Sequence, residues 1–205
     1  MFTIILPSYL GDYPNAATNR PEKLLRAVRS VINQTYKDWE LIIISDGCDE
    51  TTHLVIDFFI DYAPKIRLLK IKRTKAWAGR PRNEGIIAAQ MPYCTYLDSD
   101  DYYLPEYLEQ LSKSITDNPT YFVNEYRVVL NDMTLYEYKC QQGYLGRCGT
   151  SNIIHKSDCA SRWTDSSYGH DDCTFLNSLM KEYGHFKELS ICGYVNCHIP
   201  KKYDV

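Results

Sequence analysis

Tyr96-Leu97-Asp98-Ser99-Asp100-Asp101 places three carboxylates directly after a short apolar run, Tyr93 to Leu97, and directly before a helical pattern that opens near Pro105. An acidic cluster at the carboxyl end of a buried strand is costly unless something cationic neutralises it. Side chains two apart on an extended chain point the same way, so Asp98 and Asp100 can converge on one ion. A hard divalent cation held by one or two carboxylates, with phosphate oxygens and waters completing its shell, fits that layout. The competing reading is a polar turn in which Asp100 or Asp101 caps the next helix.

Working outward from this stretch, the first half alternates apolar runs with helical patterns. Residues 2–6 read as a buried strand that ends at Pro7-Ser8-Tyr9-Leu10-Gly11. Pro21 suits the first turn of a helix over 21–34, with Leu24, Leu25, Val28, Val31 and Ile32 at helical spacing. Residues 40–45 form a second strand, stopped by Asp46-Gly47-Cys48-Asp49. A second helix follows, with Leu54, Val55, Phe58, Phe59 and Tyr62 on one side. Residues 65–71 are a third strand, 77–82 a loop with Gly79 and Pro81, 83–90 a short helix, and 93–97 the fourth strand. Continuous apolar strands alternating with helices predict a mostly parallel sheet covered on both faces, and ligands in such sheets bind beyond the carboxyl ends of the strands.

The second half changes character. Residues 121–130 and 135–140 predict an antiparallel hairpin joined at Asn131-Asp132, and 150–155 a further strand. Gly169-His170-Asp171-Asp172 precedes a helix bearing Phe175, Leu176, Leu179, Met180 and Tyr183. Gly184 is placed to end that helix, and a last strand covers roughly 186–198. With no repeat or linker, the 205 residues predict one α/β domain, 1–205, with a Rossmann-like parallel sheet and a small antiparallel addition in its second half.

Composition narrows the function. A net charge of −3 argues against a nucleic-acid partner, which calls for a basic excess. Local basic residues remain at Lys70, Lys72, Arg73, Lys75, Arg80 and Arg82, either solvated or facing phosphates. No apolar stretch approaches the roughly 20 residues of a membrane span, and the first residues lack a basic leader, so the expected location is cytoplasmic. Eight cysteines without a CxxC pair argue for free thiols rather than a zinc site. An EF-hand is excluded by Tyr103 and Pro105 inside the would-be loop. Phosphate-binding glycine loops of the Walker and dinucleotide types are absent.

Five pieces, in this order, resemble family 2 glycosyltransferases of the GT-A fold. They are Ile4-Ile5-Leu6-Pro7-Ser8-Tyr9, Val31-Ile32-Asn33-Gln34-Thr35-Tyr36, Trp39 to Gly47, Gly79 to Gly85, and Tyr96 to Asp101. The resemblance implies a nucleotide-sugar-binding half over 1–110 and an acceptor-binding half over 111–205. Asp46 would read the nucleobase edge, with Pro7 and Tyr9 beside the base or ribose. Arg80 and Arg82 would face the pyrophosphate or base. Asp98-Ser99-Asp100 would fill the DxD role, with Asp98 on ribose or metal, Asp100 on Mn²⁺ or Mg²⁺, and Ser99 on the donor. Asp172 aligns with the acidic base, Asp171 with its acidic neighbour, and His198 with a late metal-approaching histidine. His170 is a second candidate for the acceptor site or acid–base work.

The expectation is therefore a metal-dependent, inverting glycosyltransferase. It would move a sugar from a nucleotide-diphosphate donor, UDP-linked by preference, to a glycan or small hydroxyl acceptor. A sugar nucleotidyltransferase would want a glycine-rich basic loop after the first strand, which Pro7 to Gly11 does not offer. A binding module without activity is the non-enzyme alternative. Local turn and helix-cap roles compete for Asp46, Asp171 and Asp172. Tyr102, Tyr103 and Trp163 are candidates either for the acceptor cleft or for core packing.

Overall fold

Along the first two strands the side chains alternate between two cores. Ile4, Leu6, Leu41 and Ile43 belong to one, and Ile5, Ile42 and Ile44 to the other. All of these are buried, which is why the strands read as continuous apolar runs. The computed structural model describes residues 1–13, 16–73, 78–129, 133–142, 144, 146–164 and 171–197.

The parallel strands of the first half are β1 (Phe2–Ser8), β2 (Trp39–Asp46), β3 (Ile66–Ile71) and β4 (Tyr93–Tyr96). They are joined by α1 (Arg20–Ile32), α2 (Asp49–Phe59) and α3 (Gly79–Ala88). A two-residue strand β5 (Tyr102–Tyr103) and helix α4 (Tyr107–Ser114) follow. Then come β6 (Thr120–Val128), β7 (Leu135–Tyr138), β8 (Ile153–Lys156), α5 (Asp171–Tyr183) and β9 (Lys187–Asn196). One sheet runs in the order β3-β2-β1-β4-β8-β6-β9-β5, with β7 on β6. The first four strands pair in parallel, and β8 reverses the direction by lying antiparallel to both β4 and β6. Leu24, Val28, Val55, Leu108 and Leu111 put α1, α2 and α4 on one face. Ile86, Phe175, Leu176 and Leu179 put α3 and α5 on the other.

Several expectations needed correction. Residues 79–82 are helical, not loop: Arg82 N–H donates to the Ala78 carbonyl at 3.0 Å and closes the first turn of α3. Pro81 is tolerated there because first-turn N–H groups have no intrahelical acceptor to lose. Gly85 lets α3 lie against β1, since a Cβ there would sit 2.5 Å from Ile5 Cγ2. Residues 150–152 form a one-turn 3-10 helix rather than the start of a strand. The β6–β7 hairpin is antiparallel as expected. Its turn at Asn131-Asp132, and the segment with Gly169 and His170, lie outside the described residues. Among the described residues no helix is long and apolar enough to cross a membrane.

Candidate active site

The carboxyl ends of β1, β2 and β4 converge, and each carries a residue singled out from the sequence. Pro7 is buried within β1 opposite Ile44, and Tyr9 follows directly after the strand. Arg20 of α1 secures this loop: its guanidinium donates to the carbonyl of Tyr9 at 2.8 Å and also to those of Leu10 and Gly11. Asp46 ends β2 and is buried, its carboxylate bonded to Arg73. The Arg73 guanidinium lies 3.7 Å from the Tyr9 ring centroid, a cation–π contact. Gly47 has φ +59°, and a Cβ there would meet the Arg73 backbone at 2.6 Å, so glycine is what lets Arg73 come this close. Asp46 is thus more than a turn residue, and Arg73 is its partner.

Asp98 sits just past β4. Its Oδ1 accepts from Arg82 Nη2 at 2.9 Å and its Oδ2 from Thr150 Oγ1 at 3.1 Å. Residues 98–101 are not extended: Asp101 N–H donates to the Asp98 carbonyl at 3.1 Å, making a turn that carries Asp98, Ser99 and Asp100, all half-buried. Arg26 of α1 bonds the Asp100 carbonyl. Asp101 is not a helix cap, because the residue before α4 is Glu106. Asp101 is buried and accepts from Tyr194 Oη and from the Cys197 N–H at 2.6 Å. Burial, with the Asp100 and Asp98 charges beside it, pushes its pKa well upward. It fastens the end of β9 beneath the turn.

Arg82 links Asp98, past β4, to Asp172 at the start of α5. It is buried in α3, paired with Asp98, and lies 4.7 Å over the Trp163 ring. Burial opposes its charge, but Asp98 and Asp172 outweigh that and hold it protonated. Its Nε is a buried N–H without a partner among the described residues. Asp171 and Asp172 open α5 rather than precede it, so an acidic first turn faces the helix dipole. Burial pushes the Asp172 pKa up to about 6. Arg82 partly offsets this, while Asp98, Asp171 and Glu125 add to it. Arg80 is half-exposed, its Nε 3.9 Å from Glu84 Oε1 one helical turn on.

Trp163 and Tyr103 do not line a cleft. Trp163 stacks on Phe175 at 4.2 Å, and its Nε1 donates to Tyr96 Oη at 3.0 Å. Tyr103 is buried and donates to the Tyr96 carbonyl at 2.6 Å. Tyr102 is half-buried under the Arg26 guanidinium. Since His155 Nδ1 faces the Lys156 carbonyl at 2.8 Å, it carries the proton, and Nε2 accepts from Tyr96 Oη at 2.7 Å. Burial pushes the His155 pKa down to about 4. The unfolded chain then binds a proton on His155 that the folded chain does not, so His155 withdraws stability as pH falls from 6.5 through 4. The full loss is about 3 kcal/mol at about 1.4 kcal/mol per tenfold change in proton affinity. Asp172 and Asp101 titrate with the opposite sign, so the comparison must isolate His155. Urea unfolding at pH 7.5 and 4.5 should show a smaller acid loss for His155→Gln than for the parent chain. Equal losses would contradict this account.

Sequence reading missed Arg20, Thr150 and Glu125. Glu125 is buried on β6, held by Ser151 and by Arg127 Nε at 2.6 Å. No local pattern marks these residues, because their roles depend on the folded arrangement around them. His198 and His170 lie outside the described residues.

Hard-oxygen donors suit Mg²⁺ or Mn²⁺, and Asp98 and Asp100 supply them on one turn. No group of three metal-ligating side chains forms among the described residues.

The described chain has the GT-A-like α/β fold, with acidic groups gathered beyond the ends of its parallel strands. It belongs to glycosyltransferase family 2: residues 16–179 match the model described as "Glycosyl transferase family 2". Among relatives, an Escherichia coli UDP-Glc:alpha-D-GlcNAc-diphosphoundecaprenol beta-1,3-glucosyltransferase, WfgD, is 28% identical over 143 residues, covering 69% of this chain and 52% of that protein. Staphylococcus aureus poly(ribitol-phosphate) beta-N-acetylglucosaminyltransferase TarP is 33% identical over 111 residues, covering 53% of this chain and 31% of that protein. The chain therefore spans about half or less of the length of these two relatives. The structure of S. aureus TarS 1–349 superposes with a TM-score of 0.74 at 16% identity, covering 96% of this chain and 60% of that one. TarS has also been solved with UDP-GlcNAc. A Pyrobaculum calidifontis mannosyltransferase in complex with GDP-Man and Mn²⁺ superposes with a TM-score of 0.66 at 12% identity, covering 98% and 57%.

Proposed function

We propose that this chain is an inverting, metal-dependent glycosyltransferase that transfers a sugar from a UDP-linked donor to a hydroxyl of a glycan or small acceptor. The observation that carries the reading is the Asp98–Arg82 pair, with Asp172 acting on the same buried arginine. Residues 1–110 would bind the donor and 111–205 the acceptor. Asp46 would accept from the base edge, while Tyr9, backed by Arg73, and Pro7 bound the base and ribose. Asp46 would have to exchange its bond with Arg73 for the base, or share its two oxygens between them.

The Arg82 guanidinium, held protonated beside Asp98, would give the diphosphate a positive charge to face. Ser99 lies on the same turn as the two carboxylates and would complete the polar contacts to the donor, with Arg80 at the rim. Asp98 and Asp100 would hold Mn²⁺ or Mg²⁺, and His198 is a further candidate. When bound, the metal neutralises charge on the departing diphosphate. Asp172 would remove the acceptor proton as that oxygen attacks the anomeric carbon, a single displacement that inverts the centre. Its pKa of about 6 leaves it ionised at neutral pH yet basic enough to take a proton. Eight free thiols are consistent with a reducing, cytoplasmic setting.

The test is a thermal-shift panel of UDP-, GDP- and CDP-linked sugars with Mn²⁺. Ligands of the native state must stabilise it. The expected result is a shift with UDP-linked members that exceeds the others. A panel in which no nucleotide sugar raises the melting temperature would overturn the reading.

A further inference from the structure

Two half-buried cysteines meet beside the carboxylate assigned as base. The Cys148 thiol donates to Cys173 Sγ across 3.5 Å. Cys173 follows Asp172 directly in the first turn of α5. Cys148 directly precedes Gly149, where a Cβ would lie 3.9 Å from Asp172 Oδ2. Thr150, one residue further on, donates to Asp98. The two sulfurs therefore join the segments that flank Asp172 on either side. Asn152 makes this region stiff: its Oδ1 accepts from Gly149 N–H at 2.7 Å and its Nδ2 donates to the Val123 carbonyl at 3.0 Å.

We propose that Cys148 and Cys173 are a reversible thiol-modification site, closed to a disulfide by low-molecular-weight disulfides, and that closure slows transfer by displacing Asp172 and Thr150. The Cys173 sulfur attacks one sulfur of the oxidant, the oxidant's S–S bond breaks, and one small thiol leaves. Cys148 then attacks the Cys173 sulfur of the mixed disulfide and expels the second small thiol. The protein loses two hydrogens, and the oxidant is reduced to two thiols. Burial, together with the Cys173 sulfur beside it, pushes the Cys148 pKa up to about 12, so Cys148 is not the thiol that attacks first. A disulfide needs sulfurs about 2.05 Å apart, so the two sulfurs, 3.5 Å apart as thiols, must draw together. Asp172 and the Thr150 that orients Asp98 both stand next to the parts that move.

The rate effect rests on the reading of Asp172 as base, whereas the cross-link does not. The full chain is incubated with oxidised glutathione and digested without reduction, and its peptides are mapped by mass spectrometry. Release of nucleoside diphosphate is followed before oxidation, after it, and after dithiothreitol. The expected result is a Cys148–Cys173 peptide and a loss of about tenfold or more in rate, since small misplacements near reacting groups are that costly. Dithiothreitol should restore the rate. Cys148→Ser should keep its basal rate and resist oxidation, and Cys173→Ser provides a second variant should the first fold poorly. Glutathione adducts or cross-links elsewhere, with no Cys148–Cys173 peptide, would overturn the proposal, as would a cross-linked chain of unchanged rate. A chain inactive before oxidation would count against the transferase reading, while the peptide map still decides the site.

Discussion

Asp100→Asn is expected to abolish metal-dependent turnover. The substitution keeps the shape of the side chain and removes a hard anionic ligand, which an amide oxygen replaces poorly for Mn²⁺ or Mg²⁺. The turn should survive, since its closing bond is from the Asp101 N–H to the Asp98 carbonyl and its link to α1 is through the Asp100 carbonyl. Neither uses the Asp100 carboxylate. The stabilisation by Mn²⁺ with UDP should be lost, and the melting temperature without ligand shows separately what the substitution does to the fold. Turnover near the parent rate at saturating Mn²⁺ would sink the assignment of Asp100 to the metal. Asp98 offers a weaker test, because Arg82 and Thr150 already engage both its oxygens, so its loss also leaves a buried guanidinium without that partner.

Asp172→Asn is the second large effect. General-base catalysis contributes about 10²–10⁴-fold, and a loss in that range of kcat is expected. A loss below about tenfold would mean that Asp172 is only an acidic residue in the first turn of α5. The pH dependence distinguishes these possibilities further. Burial lifts the Asp172 pKa to about 6, so the ionised base accumulates as pH rises through that value. The rate should climb about tenfold per pH unit below it and level off above. Removing the base should flatten that limb. A parent chain with the same rate at pH 5 and pH 7.5 would contradict the assignment.

The first half of the fold was legible because its signals are local. The unbroken apolar run from Leu41 to Ile44 and the spaced apolar residues of α1 report burial directly, and the strand ends fall near Pro7, Asp46 and Asp98. The start of α3 was obscured because Gly79 and Pro81 read as loop residues although the first helical turn accepts both. The second half was less legible because its order depends on pairings distant in sequence. β6 lies parallel to β9 and antiparallel to β8, and β5 is two residues held by β9. The acidic cluster divided as its chemistry requires. Asp98 and Asp100 stay half-buried on the turn, with Asp98 held by Arg82 and Thr150, whereas Asp101 ties β9 to that turn rather than capping α4. Arg73, one of a run of basic residues, acquired its meaning only when Gly47 let it reach Asp46.

The central claim is transfer from a UDP-linked sugar by a metal-dependent site. Its most direct test is release of UDP by the parent chain from a set of UDP-sugars, in the presence of candidate acceptors, with Mn²⁺ and with a chelator. The account predicts release that requires Mn²⁺ and rises when an acceptor is supplied. Release unchanged by the chelator, or no release from any member of the set while the chain remains folded, would contradict it.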